Sequence, residues 1–310
     1  MNITDRLRRA VESPNLFGRG INRLYHRRFN SRSYNTDGTD IFAEDWDVLL
    51  VLDACRYDTF EAHHDLPGRL ESRVSRGAAT VEFLRGNFVG RTLADTVYVT
   101  ANPQLYRNRG RLPTDLHAVV DVWRADGWDE DHGTVLPETV NEYARRAAER
   151  YPKKRLVVHY IQPHYPFIGA DTSFDQGHLD VDDPDEERVW DRLMTGTLDV
   201  APEEVRRLYV DNLLRVLPHV EDLLTDLTGR TVVTADHGNM LGERASPVPV
   251  REWGHPRGIY TEHLVRVPWL VSDEGPRRTV VAEETADVRE VVEDVDEAIV
   301  SERLEDLGYR

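Results

Sequence analysis

Four short runs of apolar, largely β-branched residues constrain this chain more than anything else in it. They are Val48-Leu49-Leu50-Val51-Leu52, Thr96-Val97-Tyr98-Val99-Thr100, Leu156-Val157-Val158 and Thr231-Val232-Val233-Thr234-Ala235. None shows the strict alternation of a strand with one wet face, so each is expected to be covered on both sides, as in a parallel sheet between helices. Val267-Pro268-Trp269-Leu270-Val271 is a fifth candidate, its proline suited to a strand start or a sheet edge. Helices are expected from Pro137 to about Tyr151 and from Pro202 to about Leu227, each with proline in the first turn. The expected fold class is α/β: a mostly parallel central sheet with helices on both faces.

Composition narrows the function. With 310 residues there is enough chain to bury a sizeable core. A net charge of -17, from 56 Asp and Glu against 39 Lys and Arg, argues against nucleic acid as a partner. Lys is scarce among the cations, a balance found in proteins from cells with high internal salt. Cys55 is the only cysteine, which excludes an intrachain disulfide and a cysteine-based zinc site. No apolar run has the length of a signal peptide or a membrane span, and the chain starts at Met1, so a cytoplasmic location is expected.

Three regions are distinguished. Residues 1–40 form a basic arm and linker, with Arg6, Arg8, Arg9, Arg19, Arg23, Arg27, Arg28 and Arg32 against Asp5 and Glu12. This arm is read either as a docking segment for an anionic partner, substrate or membrane surface, or as a helix lying against the acidic body. Residues 41–272 form the catalytic domain, and 273–310 an acidic linker with a short C-terminal docking helix.

The chemistry lies where the strands stop. Asp53, His159 and Asp236-His237-Gly238 each follow the carboxyl end of an apolar run. In parallel α/β sheets ligands bind beyond those ends, so residues far apart in sequence are expected to converge there. Carboxylates with imidazoles make a mixed oxygen and nitrogen site suited to a divalent cation. A lone Asp after a strand is more often a cap or turn residue; three such strand ends together are not explained that way.

These segments resemble the alkaline phosphatase superfamily, in particular its sulfatase-like branch of sulfatases and phosphoglycerol transferases. Val51-Leu52-Asp53-Ala54-Cys55-Arg56 is similar to its first metal-binding strand end, and Thr234-Ala235-Asp236-His237-Gly238 to its Asp-His-Gly segment. Arg266-Val267-Pro268-Trp269-Leu270-Val271 is similar to the strand that follows, and His159-Tyr160-Ile161-Gln162-Pro163-His164-Tyr165-Pro166-Phe167 to the substrate-side histidine motif. The resemblance implies that Asp53, Asp236 and His237 hold one divalent cation (Mn, Zn or Ca). It implies that His164 touches the transferred or leaving group, with His159 close by, and that His255 touches substrate or serves a second cation. Arg56 would face an anionic substrate or pair with a neighbouring acid.

The sulfatase nucleophile motif Cys-x-Pro-x-Arg is absent, since Cys55 continues as Arg56-Tyr57-Asp58. In its expected place stands Ser75-Arg76-Gly77-Ala78-Ala79-Thr80, before an apolar helix-like start. Thr80 is the candidate nucleophile, bound to the metal to lower its pKa and aided by helix N-terminal amides, or else a helix N-cap. Ser75 is the substitute, while strict alignment on the motif puts Ala79 there. The expected activity is metal-dependent hydrolysis or transfer of a phosphate ester, less readily a sulfate ester, on a small-molecule, glycan or lipid-precursor substrate. The rival reading is an inert scaffold that binds a partner or a glycan-assembly enzyme.

Overall fold

The computed structural model describes residues 14–28, 33–169, 189–282 and 297–306. Its strands are β1 (Val48–Leu52), β2 (Arg69–Val74), β3 (Thr92–Thr100), β4 (Asp115–Asp121), β5 (Trp128–Asp129), β6 (Thr134–Val135), β7 (Arg155–Tyr160), β8 (Gly229–Ala235), β9 (Met240–Arg244), β10 (Arg251–Gly254) and β11 (Arg266–Glu274). The helices are α1 (Pro14–Arg27), α2 (Tyr57–His63), α3 (Thr80–Asn87), α4 (Gln104–Arg107), α5 (Pro137–Arg150), α6 (Val189–Thr195), α7 (Pro202–Asp226), α8 (Glu262–Val265) and α9 (Glu297–Asp306).

Seven strands form one sheet in the order β2-β11-β8-β1-β7-β3-β4. The pairings among β8, β1, β7, β3 and β4 are parallel, and only β11 runs against its neighbours. The mostly parallel α/β sheet expected from the apolar runs is therefore the architecture observed. Successive residues of β1 feed opposite layers: Val48, Leu50 and Leu52 pack with α2, α5 and α7, whereas Leu49 and Val51 pack with α3 and α4. All five β1 side chains are wholly buried, which is why the run reads as continuously apolar.

The strands that the sequence pattern does not announce are those that are not buried on both sides. At the sheet edge, β2 alternates Arg69, Glu71 and Arg73 and is half-buried at most positions. Charge along an edge strand deters pairing with another chain. Pro268 lies near the start of β11, but that strand is internal, between β8 and β2. Its carbonyl accepts a hydrogen bond from Thr234 at 2.7 Å.

Within the basic arm, α1 lies along the body. The side chain of Asn22 is buried between backbone groups of Val248, and Arg19 joins Asp191 and the fully buried Glu252. Arg6, Arg8, Arg9 and Arg32 lie outside the described residues, as does the acidic stretch of 283–296. At the C-terminal end α9 places Val300 in the core against the α5 and α7 layer. No helix among the described residues is long and apolar enough to cross a membrane.

Candidate active site

Strand register gathers the site. Leu52 stands level with Tyr160 of β7 and Ala235 of β8, so Asp53 and Asp236 leave the sheet at the same height. His159 pairs with Val51 and with Thr100 of β3, two residues before Asp53 and Asn102 respectively. Side chains alternate along a strand, so Asp53, His159 and Asp236 share one face of the sheet. It is the face on which Val51 packs against α3, the helix that begins at Thr80.

One oxygen from each carboxylate and one nitrogen of His159 lie within 4.8 Å of one another. Asp53 Oδ1, Asp236 Oδ2 and His159 Nε2 are all buried and make no hydrogen bond, while their opposite atoms are fixed. Asp236 Oδ1 accepts from the amides of Ala54 at 3.1 Å and His237 at 2.9 Å. Asp53 Oδ2 accepts from Asn102 Nδ2 at 2.5 Å, and His159 Nδ1 is 2.7 Å from the Tyr98 hydroxyl. Each of the three side chains is thus held from behind, with its second donor atom aimed at a shared point. That set of two carboxylate oxygens and an imidazole nitrogen fits a divalent cation.

The electrostatics agree. Burial, then the neighbouring Asp236, pushes the Asp53 carboxyl well above the ordinary carboxylate range. Burial lowers His159 to about 4. In this dry cluster a bare pair of carboxylates is unfavourable, and a cation removes the repulsion while using the neutral imidazole that burial favours.

His237, expected as the third ligand, lies against the same two carboxylate oxygens. Its Nε2 is 3.3 Å from Asp236 Oδ2, 3.5 Å from Asp53 Oδ1 and 3.3 Å from Thr80 Oγ1. Its Nδ1 is 2.8 Å from the Gly238 carbonyl, which can only accept, so Nδ1 carries the proton and Nε2 presents a lone pair. Gly238 is demanded by space rather than by a sharp turn: a Cβ there would stand 2.1 Å from the His263 carbonyl oxygen. Ala54, directly after Asp53, has a φ of 59°, a left-handed conformation that costs a non-glycine residue about 1 kcal/mol or more. Tyr209 of α7 holds this turn, donating to the Ala54 carbonyl at 2.6 Å and accepting from the Arg56 amide at 3.0 Å.

Thr80 is the first residue of α3 and is buried; the N-cap is Ala79, so capping does not account for the threonine. Its hydroxyl faces His237 and lies 3.5 Å from Asn102 Nδ2. Ser75 is occupied otherwise: its hydroxyl donates to the Asp236 carbonyl and accepts from the Gly77 amide, pinning the Asp236 turn. Arg56 is buried and committed to acids, with Asp58 at 2.6 Å and Glu243 at 2.6 Å. Its place is behind the turn.

His164 and His255 meet at 3.0 Å between their Nε2 atoms, and the His255 ring lies 4.6 Å from that of His237. Asn212 of α7 fixes the His164 turn by donating to the carbonyls of His164 and Pro166, each at 2.9 Å. Both histidines line a cleft of about 530 Å³ that also touches α1, Trp190 and Trp253. Trp190 thus borders the cleft, whereas Trp123 and Trp128 belong to the core. Asn102, Tyr98 and Tyr209 are the site residues that strand-end reasoning does not select.

No protein-family model matches the chain, and no curated protein matches it in sequence. Solved structures do resemble it. The soluble domain of lipooligosaccharide phosphoethanolamine transferase A from Neisseria meningitidis is 13% identical over 73% of this chain and 75% of that one, with a TM-score of 0.46. Against the whole integral membrane protein of that name the chain spans 54% of the length. The C-terminal periplasmic domain of EcEptC from Escherichia coli, in complex with Zn, is 15% identical over 78% of this chain and 77% of that one, with a TM-score of 0.45. An alkaline phosphatase superfamily protein from Vibrio parahaemolyticus is 12% identical over 84% and 70%, with a TM-score of 0.43. These are the kinds of protein that the sequence motifs resemble. The cytoplasmic location expected from the sequence is corrected at this point, because such neighbours include periplasmic domains.

Proposed function

We propose that the protein transfers or hydrolyses a phosphate ester through Thr80. The observation that carries this reading is the Thr80 hydroxyl, buried at a helix start, 3.3 Å from the lone-pair nitrogen of His237 and beside the Asp53, His159 and Asp236 cluster. When bound there, a divalent cation (Mn, Zn or Ca) would supply Lewis-acid polarisation of a phosphoryl oxygen.

The chain's own residues supply the rest. Thr80 Oγ donates its proton to His237 Nε2 and attacks phosphorus, and the bond from phosphorus to the leaving oxygen breaks. The amides of Thr80 and Val81, which precede the first bonded turn of α3, would meet the oxygen that gains charge. Asn102 bridges Asp53 and Thr80, so it fixes the nucleophile relative to the carboxylates. His164 and His255, at the cleft side, are placed to protonate the departing alcohol. Water or an acceptor alcohol entering by the cleft then takes the phosphoryl group from Thr80.

Purified protein loaded in turn with Mn, Zn or Ca and assayed with p-nitrophenyl phosphate, bis-p-nitrophenyl phosphate and p-nitrophenyl sulfate tests this. Turnover of a phosphate ester that disappears in Thr80→Ala is the expected result. Full activity in Thr80→Ala would remove the nucleophile, and silence with every ester and metal would favour an inert scaffold.

A further inference from the structure

Helix α1 is mounted with its polar side inward. Asn15, Arg19, Asn22 and His26 recur at helical spacing and all reach the body. Asn15 donates to the Met194 carbonyl at 3.1 Å, Arg19 joins Asp191 and Glu252, Asn22 exchanges hydrogen bonds with Val248, and His26 Nε2 lies 3.0 Å from the Ser246 carbonyl. Gly18 lets the helix approach closely, since a Cβ there would stand 2.4 Å from Val250 Cγ1. The opposite face carries Phe17, Ile21, Leu24 and Tyr25, which are 56%, 38%, 74% and 44% exposed. A helix that only covers a globular body turns its apolar stripe inward; this one is reversed. Elsewhere among the described residues the exposed large apolar side chains are Val74 of β2, Leu214 of α7 and Ile299 of α9, on three separate elements. The clustering is therefore particular to α1, and it calls for an apolar layer outside the molecule.

The charge beside the stripe indicates what that layer is. From Pro14 to Arg28 there are four arginines and no Asp or Glu, in a chain of net charge -17. Arg23 and Arg27 run along one flank of the stripe. Arg28 follows the last turn, its guanidinium 3.4 Å from the centre of the Tyr25 ring. Apolar and aromatic side chains bordered by arginines suit a helix lying in the head-group layer of an anionic bilayer, with rings and aliphatic chains among the lipids and guanidiniums at the phosphates. Two copies paired through this face would instead set arginine against arginine and one acidic body near another. We infer that the outer face of α1 docks the protein on an anionic lipid surface. Docking is independent of the chemistry proposed for Thr80, but it carries the cleft to the same surface, because Arg19, Arg23 and Arg27 also line the cleft.

Flotation of the full chain with lipid vesicles tests this without any turnover. At about 0.15 M salt, binding to vesicles of equal parts phosphatidylglycerol and phosphatidylcholine is expected to exceed binding to phosphatidylcholine alone at least about tenfold. Phe17→Ser with Leu24→Ser should lower it at least about tenfold while circular dichroism stays native. Leu214→Ser, which removes an exposed apolar side chain far from α1 in sequence, should leave it unchanged. Relative to the unaltered protein, Tyr25→Trp should add an emission that chain-brominated lipids quench. Absence of binding to the mixed vesicles, equal binding to both kinds, or binding that survives the double serine variant overturns the inference. So does a dimer in sedimentation velocity that the double variant dissolves, which would make a second copy the occupant.

Discussion

Thr80, which is buried, and Glu243, which is half-buried, show how differently two polar residues near one site answer to substitution. Thr80→Ala deletes a hydroxyl that faces His237 but no cluster ligand, so phosphate-ester turnover should fall at least about a thousandfold. Metal content, measured by atomic emission on the dialysed protein, should stay unchanged, and Thr80→Ser should restore part of the rate. Glu243 works through charge. Burial alone would raise its carboxyl, but Arg56 overrides burial and holds it at about 2, below the ordinary 4.5. A depressed acid stabilises the fold above its unfolded pKa, and that stability is lost as pH falls through the folded value. Glu243→Gln should therefore remove a component of stability present at neutral pH, and the difference from the unaltered protein in urea melts should shrink between about pH 4.5 and pH 2. Asp53, His159 and Asp236 were legible in the sequence because each ends an apolar run. That His159 Nε2 closes on the two carboxylates as well as His237 was not, because it depends on which face of β7 points toward α3. Asn102 and Tyr98 carry no signal of their own; they matter only as partners of Asp53 and His159.

Elements differ in how much of their role their own residues declare. β1 is apolar along its length and β7 and β8 at their centres because both faces are covered, and α5 and α7 announce themselves by proline at the first turn and a helical stripe. By contrast β2 is an edge strand of alternating charge, and α4 is a single turn whose hydrogen bonds close within the loop after β3. Neither has a pattern that sequence alone can separate from loop. The basic arm admitted two readings, and in α1 the one helix both lies against the body and lines the cleft. Its anchor is the pair formed by Arg19 with Glu252, whose side chain is fully buried. Arg19→Gln would leave that carboxylate uncompensated, at a cost of about 3–5 kcal/mol to the α1 and β10 packing. Limited proteolysis should then cut near α1 sooner, and adding Glu252→Gln should recover part of the loss, since the unpaired charge would be gone.

At the scale of the whole molecule, stability is expected to follow the cation. A metal present at about a hundred times its Kd adds about 2.7 kcal/mol to the folded state, so calorimetry should show Tm rising with Mn or Zn and falling back with EDTA. Binding should also release protons into a weak buffer, because the Asp53 carboxyl resists ionisation until the cation arrives. Asp53→Asn should abolish the metal-dependent rise; without metal it should match or exceed the unaltered protein, having lost the repulsion from Asp236. With a net charge of -17 the folded chain repels itself, and raising salt from low to molar concentration should increase Tm in the absence of metal as well. The in-step pairing of β8, β1, β7 and β3 has an evolutionary corollary. Connections between these strands are free to lengthen or shorten without disturbing the chemistry, whereas one residue gained or lost inside any of them would swing its terminal ligand into the opposite layer. Descendants of this chain should differ in the spans they insert around the chemical centre long before they differ in the length of the four segments that carry it.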